Sequence, residues 1–235
     1  FRMIGMQIHK DIEIVDLALK YKGTLILGDL QLGYEDYLNK KGVMVPRFQT
    51  EDVLGRIRHI LENNKIKRIV FNGDIKHHFG IISPQEWDAV TRLFEDLVGK
   101  YEVIVVKGNH DVMIGPIVKR FEKIKLANFF ELDDLFIVHG DKILPNTGKI
   151  IIIGHEHPAV SFGEKPGEKY KCFLKGTWEK HPLIVMPSFN MLTVGSDIHH
   201  GKFLSPYLKK GLKNFEIYVV EDKTYYFGKV KDLPD

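Results

Sequence analysis

The chain reads as an α/β protein, and three observations predict that class. Short runs rich in Val, Ile and Leu recur along it, helical patterns fill the gaps between them, and several runs end in Gly followed by a polar or metal-seeking side chain. The ends in question are Gly28-Asp29-Leu30-Gln31, Gly73-Asp74, Gly108-Asn109-His110-Asp111, His139-Gly140-Asp141 and Gly154-His155-Glu156-His157, with His77 close behind Asp74.

Near the N-terminus, Val15, Leu17, Leu19 and Tyr21 alternate with Asp16 and Lys20, which reads as a strand, although Ile14, Leu17, Ala18 and Tyr21 also fit one face of a helix. Thr24 to Leu27 is the next strand. A helix is expected after Pro46, with Val53, Ile57, Ile60 and Leu61 as its apolar stripe and Asn63-Asn64 at its end. Arg68 to Phe71 is a strand. Ser83-Pro84-Gln85-Glu86 then combines a capping Ser, Pro at the first helical position and Glu three residues after the cap, ahead of Trp87, Val90, Leu93, Phe94 and Leu97 at helical spacing. Glu102 to Val106 is a strand, and a shorter helix is expected from about Gly115 to Phe121. Leu135 to Val138 and Ile150 to Ile153 are further strands. Phe215 to Val220 and Thr224 to Phe227, joined by Glu221-Asp222-Lys223, predict a hairpin.

Strand and helix alternate through the middle, so a largely parallel sheet covered by helices is expected. The polar residues then lie at the carboxyl ends of strands, where α/β proteins bind ligands, and one rim of one sheet would gather them. Residues two apart at a strand end point the same way, which would let Asp29 pair with Gln31 and His155 with His157 around one spot.

At 235 residues with 44% hydrophobic content the chain can bury a full core, and one domain spanning 1–235 is expected. The single Cys172 excludes an internal disulfide framework and suits a reducing, cytoplasmic setting. No secretory leader and no membrane-spanning stretch is read, and Phe1-Arg2-Met3 is compatible with an expression remnant. A formal charge of +3 does not by itself announce a nucleic-acid partner. Two groups mix lysines with aromatics: Lys169, Lys171, Lys175 and Lys180 with Tyr170, Phe173 and Trp178, and Lys202, Lys209, Lys210 and Lys213 with Phe203 and Tyr207. Such mixtures can track a phosphate backbone and stack bases, or be solvated lysines over packed rings. Of the other histidines, His9, His59 and His181 read as surface residues, while His78, His199 and His200 stay unassigned, as does Lys76.

Taken in chain order, these motifs resemble those of the calcineurin-like metallophosphoesterases: Asp-x-His, Gly-Asp, Gly-Asn-His-Asp, His and Gly-His-x-His. The resemblance runs from Asp29 to His157 and implies a sandwich of β-sheets covered by helices on both outer faces. It also implies two divalent metal ions, most readily Mn2+, with Mg2+, Zn2+, Fe or Ni as alternatives. Asp29, Gln31 and His157 would hold the first ion, Asn109, His139 and His155 the second, and Asp74 would bridge them. His110 would be the general acid, oriented by Asp111, and with Asn109 would meet the substrate. Two ions about 3.5–4 Å apart can share and acidify a hydroxide that attacks the phosphate, while neutralising attacking and leaving oxygens. A nearby imidazole can protonate the leaving alkoxide.

Gln31 departs from the family pattern, which has His there. As a ligand its neutral amide oxygen would turn the first site toward manganese or magnesium and away from zinc. As a non-ligand it would orient a water.

The stretch from Gly73 to His78, with Ser83-Pro84, resembles SbcD-type recombination nucleases, in which a histidine three residues after the bridging Asp helps place the scissile phosphate; His77 takes that position. Val185-Met186-Pro187-Ser188-Phe189-Asn190 and the Leu-Gly after Gln31 resemble the smaller SbcD-related, PdeM-like phosphoesterases. The resemblance implies a nuclease or phosphodiesterase, acting on DNA more readily than RNA and connected with DNA repair. A small-molecule (nucleotide or cyclic nucleotide) phosphoesterase and a non-catalytic scaffold are the alternatives. No membrane partner is implied, and a homodimer is compatible.

Overall fold

A computed structural model describes residues 5–45, 48–145, 149–162, 168–200 and 202–233. Pro46 and the first four residues lie outside the described residues, as does the side chain of His200. Two sheets face each other. The first holds seven strands in chain order, β1 (Met6–His9), β2 (Ile12–Val15), β3 (Ala18–Tyr21), β4 (Thr24–Leu27), β5 (Arg68–Asn72), β6 (Glu102–Val106) and β7 (Ile124–Ala127). Strands β1 to β4 form an antiparallel meander, and β4 to β7 are parallel. Helices supply the crossovers between the parallel strands: α1 (Tyr34–Lys40) and α2 (Gln49–Asn63) after β4, α3 (Pro84–Leu97) after β5, and the short α4 (Gly115–Val118) after β6.

The second sheet has nine strands: β8 (Phe129–Leu132), β9 (Leu135–Val138), β10 (Ile150–Ile153), β11 (Pro158–Val160), β12 (Tyr170–Trp178), β13 (His181–Val185), β14 (Ser196–Asp197), β15 (Glu216–Val220) and β16 (Thr224–Lys229). Here only β9, β10 and β13 run parallel side by side, with β11 beside β14, and the remaining pairings are antiparallel.

Strand alternation divides the second sheet's side chains between two cores. Leu135, Ile137, Ile152, Phe173, Ile184, Tyr218 and Val220 join the large cluster that fills the space between the sheets and reaches α2 and α3. Their neighbours Phe136, Val138, Ile151, Ile153, Cys172, Leu174, Leu183, Val185, Ile217 and Val219 face the other way, onto the 3-10 turns Ile198–His200 and Pro206–Leu208. Helical segments therefore cover both outer faces, as the resemblance implies.

Two expectations are corrected. The motif-bearing strands belong to two sheets, not one, because β9 and β10 pair with each other, β9 also with β8 and β10 also with β13, rather than with β6 or β7. The alternation from Val15 to Tyr21 is not one strand. It folds back at Asp16, whose left-handed φ of 59° and bond from Leu17 N–H to Oδ1 (2.8 Å) make a tight turn between β2 and β3.

Where caps are present in the sequence they form. Ser83 Oγ accepts from Glu86 N–H (3.2 Å) and Glu86 Oε2 accepts from Ser83 N–H (2.8 Å), while Val53, Leu54, Ile57, Ile60 and Leu61 bury one stripe of α2. By contrast α1 has no capping side chain and starts after Gly33 in a left-handed conformation, so little in its sequence announces it.

Candidate metal centre and active site

The chain makes an unusual backbone conformation at its motifs. Among the described residues ten non-glycines have left-handed φ. Five of them, Asp11, Asp16, Lys22, Asp133 and Glu179, sit in hairpin turns; the other five are Asp29, Gln31, Asp74, His155 and His157. Left-handed backbone costs an ordinary side chain roughly 1–3 kcal/mol and persists only where the surroundings enforce it. Asp29, Gln31, His155 and His157 therefore sit in left-handed loops just beyond the strands, and strand alternation does not set their directions. The loops after β4 and β5 enforce each other: Asp29 N–H donates to Gly73 O (3.1 Å), Gln31 N–H to Asp74 O (2.9 Å) and Leu32 N–H to Ile75 O (2.8 Å).

These loops meet the ends of β6, β9 and β10 at one place. Asp29 Oδ1 lies 3.1 Å from His157 Nε2 and 3.8 Å from His139 Nδ1, and Asp29 Oδ2 accepts from His155 N–H at 3.1 Å. His139 Nε2 lies 2.9 Å from Asn109 Oδ1 and 3.4 Å from Asp74 Oδ2. Asp74, His139 and His155 each offer a ligand atom within 4.8 Å of the others. The backbone leaves no room for anything larger than glycine nearby: a Cβ at residue 108 would collide with the Asp74 carboxylate, and one at residue 154 with that of Asp29.

A family model for calcineurin-like phosphoesterases matches residues 24–180, two thirds of the chain and every motif just placed. The chain belongs to the calcineurin-like phosphoesterase family. It is accordingly a metal-dependent phosphoesterase, of a class that works with two metal ions. Among solved structures, the Pseudomonas putida nuclease MPE is similar with a TM-score of 0.71 at 16% identity, covering 96% of this chain and 100% of that one. An Aquifex aeolicus protein of unknown function, AQ665, gives a TM-score of 0.39 at 16% identity over 57% of this chain and 78% of that one. No curated protein matches.

The donor set fits the family's metals. Asp29 Oδ1 and His157 Nε2 are both buried and 3.1 Å apart, yet neither has a hydrogen-bond partner. Two lone pairs so placed suit ligands of one shared ion, since donors about 2.0–2.2 Å from a metal lie roughly 3–3.5 Å from each other. His139 directs its other nitrogen, Nδ1, at Asn72 O (3.2 Å), the outer bond that fixes the ring of a metal-binding histidine.

Charge leads to the same conclusion. Burial opposes charging His139, but Asp74 and Asp29 outweigh it and hold the imidazole up at about 10. Burial likewise opposes the Asp74 carboxylate, and His139 and His110 bring it down to about 2. His155 is pushed down by burial and then by His139. Two buried carboxylates thus draw positive charge into the calcineurin-like site, and divalent cations bound there would displace the proton from His139.

Around this centre the structure relocates several sequence-derived roles. Asp111 does not orient His110: its fully buried carboxylate accepts from the loop amides of Ile75 (3.1 Å) and Gly108 (3.1 Å), and burial followed by the charge of Asp74 raises it to about 7. A desolvated carboxylate takes the nearest donors, and here those are backbone N–H groups. His110 is held instead by a bond between Nδ1 and the carbonyl of His77, with Nε2 3.7 Å from Asp74 Oδ2. The His77 ring packs between Tyr34 and Tyr37 (centroids 4.5 and 4.8 Å) and lies 5.6 Å from the His110 ring. Burial, with the neighbouring histidines, lowers His77 to about 4, so its imidazole is neutral at pH 7. Gln31 Oε1 accepts from Thr193 Oγ1 at 3.4 Å. Lys76 is fully buried and donates to the His78 carbonyl, which takes it out of phosphate binding. His78 N–H donates to Oε1 of Glu86, the capping residue of α3, at 2.7 Å, and the His78 ring Nδ1 lies 3.2 Å from the same oxygen.

The residues that brace the ligands carried no metal-site signal in sequence. Glu156, between His155 and His157, accepts from Ser205 N–H (2.9 Å), and Ser205 Oγ donates to Gly140 O (2.7 Å) beside His139. Ser188 Oγ donates to Asp29 O (2.8 Å) and Asn190 Nδ2 to Gln31 O (3.2 Å). Only the Ser188-Phe189-Asn190 stretch was visible beforehand, as part of a resemblance. The lysine and aromatic mixture on β12 disperses: Phe173 is core, Lys175 pairs with Glu216 (3.1 Å), and Lys171 turns inward.

Proposed function

We propose that this phosphoesterase is a phosphodiesterase that cleaves nucleic acid, DNA more readily than RNA, from a single domain spanning residues 1–235. The observation that carries the reading is Phe79. Its ring lies against His110 at 3.7 Å between centroids and is 62% exposed, with Ile81, Val112 and Met113 exposed nearby in sequence. An open aromatic face beside the acid group suits the base of the nucleotide flanking the scissile phosphate, because base stacking on aromatics is worth about 1–3 kcal/mol and tolerates any sequence. A cleft of about 260 Å3 with Lys169 in its lining adjoins Gln31 through Thr193, and that lysine suits a backbone phosphate beyond the scissile one.

In this reading Asp29 and His157, with Gln31 at the rim, hold the first ion, Asn109, His139 and His155 the second, and Asp74 lies between them. When bound, the ions acidify water and neutralise charge on the phosphate. His110 commits Nδ1 to the His77 carbonyl, so Nε2 is the atom that carries the proton to the leaving oxygen. His77, neutral and packed between tyrosines, offers a hydrogen bond to a non-bridging phosphate oxygen without adding charge. Asn109 would meet the substrate as well, on the strength of the resemblance. Manganese as the working metal, a cytoplasmic setting, a part in DNA repair and a homodimeric state extend the reading on the strength of the resemblance to SbcD-related enzymes.

Hydrolysis of labelled single-stranded DNA, duplex DNA and RNA beside bis-p-nitrophenyl phosphate, with Mn2+, Mg2+, Zn2+ or chelator, tests this. Metal-dependent polynucleotide cleavage is expected, with Phe79→Ala losing about tenfold or more on polynucleotides and little on the small diester. Hydrolysis confined to nucleotides would sink the nuclease reading and favour a small-molecule phosphodiesterase.

A further inference from the structure

One lysine of the second sheet reaches under the first metal's loop. From β12, Lys171 sends Nζ inward to donate to Ser188 O (2.7 Å) and Asn190 O (2.6 Å). These two residues close a turn that bonds along the whole of the Asp29 loop. Phe189 N–H donates to Gly28 O (3.0 Å), Ser188 Oγ to Asp29 O and Asn190 Nδ2 to Gln31 O. Within the turn, Asn190 N–H donates to Ser188 Oγ (3.2 Å) and Asn190 Oδ1 accepts from Leu192 N–H (2.8 Å), so its polar groups are committed.

We propose that Lys171 is a positioning residue for the first metal site, holding the Ser188–Asn190 turn against the left-handed Asp29–Gln31 loop so that Asp29 meets His157. The inference rests on the assignment of Asp29 and His157 to that site. Asp29 and Gln31 both hold positive φ, at 54° and 45°, and such a loop relaxes toward extended backbone unless its carbonyls are held. On one side Gly73 and Asp74 accept its amides; on the other the Ser188–Asn190 turn donates to its carbonyls. The turn follows β13 directly, and Lys171 adds a side-chain tie to it from the neighbouring β12. The chemistry of Lys171 matches the task, because burial and then the charge of Arg56 bring the amine down to about 7, and in either protonation state Nζ has hydrogens for both carbonyls. No comparable clamp from Lys171 touches His139 or His155, so the two metal sites should respond differently.

Calorimetric titration with Mn2+ of the full chain separates the outcomes. Wild type should bind two ions, and the binding step absent from His157→Ala identifies the first site. Lys171→Met keeps the length of the side chain and removes its donors; it should weaken the first site about 10–100-fold and leave the second unchanged, with turnover recovered at high Mn2+. Ser188→Ala, which cuts the next bond and leaves Lys171 in place, should weaken the same site in the same direction. Wild-type affinity at the first site in Lys171→Met, or equal weakening of both sites, overturns the proposal. Should Lys171→Met fail to fold, Ser188→Ala decides, first-site weakening supporting it and wild-type affinity overturning it. A wild type that binds no ions at Asp29 and His157 overturns the site assignment and the clamp together, whereas two normal sites with indifferent variants overturn the clamp alone.

Discussion

The two sheets contribute to the metal centre in contrasting ways. The first sheet supplies Asp29, Asp74 and Asn109 from loops that brace one another through backbone bonds, Asp29 N–H to Gly73 O and Gln31 N–H to Asp74 O. From the second sheet come His139, His155 and His157, whose loops are tied by side chains to distant points: His139 to Asn72 O, and Glu156 to Ser205. Acidic ligands carry the charge and lie on mutually supporting parallel strands. The imidazoles carry direction, and the His139 ring is fixed by an outside partner. The difference teaches where each half is vulnerable: the first to loss of charge, the second to loss of a brace.

The largest expected effect comes from removing charge at the point where the halves meet. Asp74→Ala should abolish binding of both ions and, with it, turnover, because the buried histidines then face no carboxylate between them. His110→Ala, one loop further along the same sheet, should lower turnover about 10²–10⁴-fold while both ions remain bound. Metal analysis beside steady-state kinetics distinguishes the two. Retained metal in Asp74→Ala, or wild-type turnover in His110→Ala, would break the division of labour within the first half.

A smaller effect tests the second half. Glu156→Ala leaves the Ser205 N–H without its acceptor, in a position where both residues are buried. The unpaired group should cost about 1–3 kcal/mol of stability. Because Glu156 lies between His155 and His157, affinity for both ions should fall by roughly tenfold, unlike the single-site loss expected from the Lys171 clamp. Thermal unfolding and metal titration of this variant together would show whether the histidine half yields as a unit; unchanged affinity at both sites would mean that the imidazoles need no such brace.

How much of this was legible in the sequence follows from the range of the interactions. Strands β4, β5, β6, β9 and β10 announce themselves because their apolar runs are continuous and a glycine follows within two residues, and α3 because its cap and its stripe are both local. The ligands are legible because their spacing within each motif is short. What the sequence hid is non-local or backbone-borne. That β9 and β10 leave the first sheet depends on which strands pair, and nothing in Leu135–Val138 specifies a neighbour. Asp and His enter left-handed backbone more readily than most residues, but that preference does not mark which Asp or His in the chain will do so. Ser188 braces Asp29 across a separation of 159 residues, a link that no motif reading detects. For Asp111 the resemblance implies a role in orienting His110, and what no motif shows is that burial sends its carboxylate to amides on two loops.

The smallest effect addresses the one ligand position where this chain departs from its family. Gln31 shares its backbone conformation with two histidines of the candidate site, φ 45° against 65° and 50° for His155 and His157, so an imidazole can be accommodated there without new strain. Its amide oxygen has only a long bond from Thr193 to lose, at 3.4 Å, and Thr193 borders an open cleft where water can replace it. Gln31→His should therefore fold as wild type and strengthen the first site alone, most for zinc, because imidazole is the softer and stronger donor. An increase of roughly tenfold in first-site zinc affinity, with less change for manganese, is expected from competition titrations. If neither metal responds, residue 31 does not reach the ion, and the first site is completed by Asp29, Asp74 and His157, which would make the acidic half of the centre still more dependent on charge than on direction.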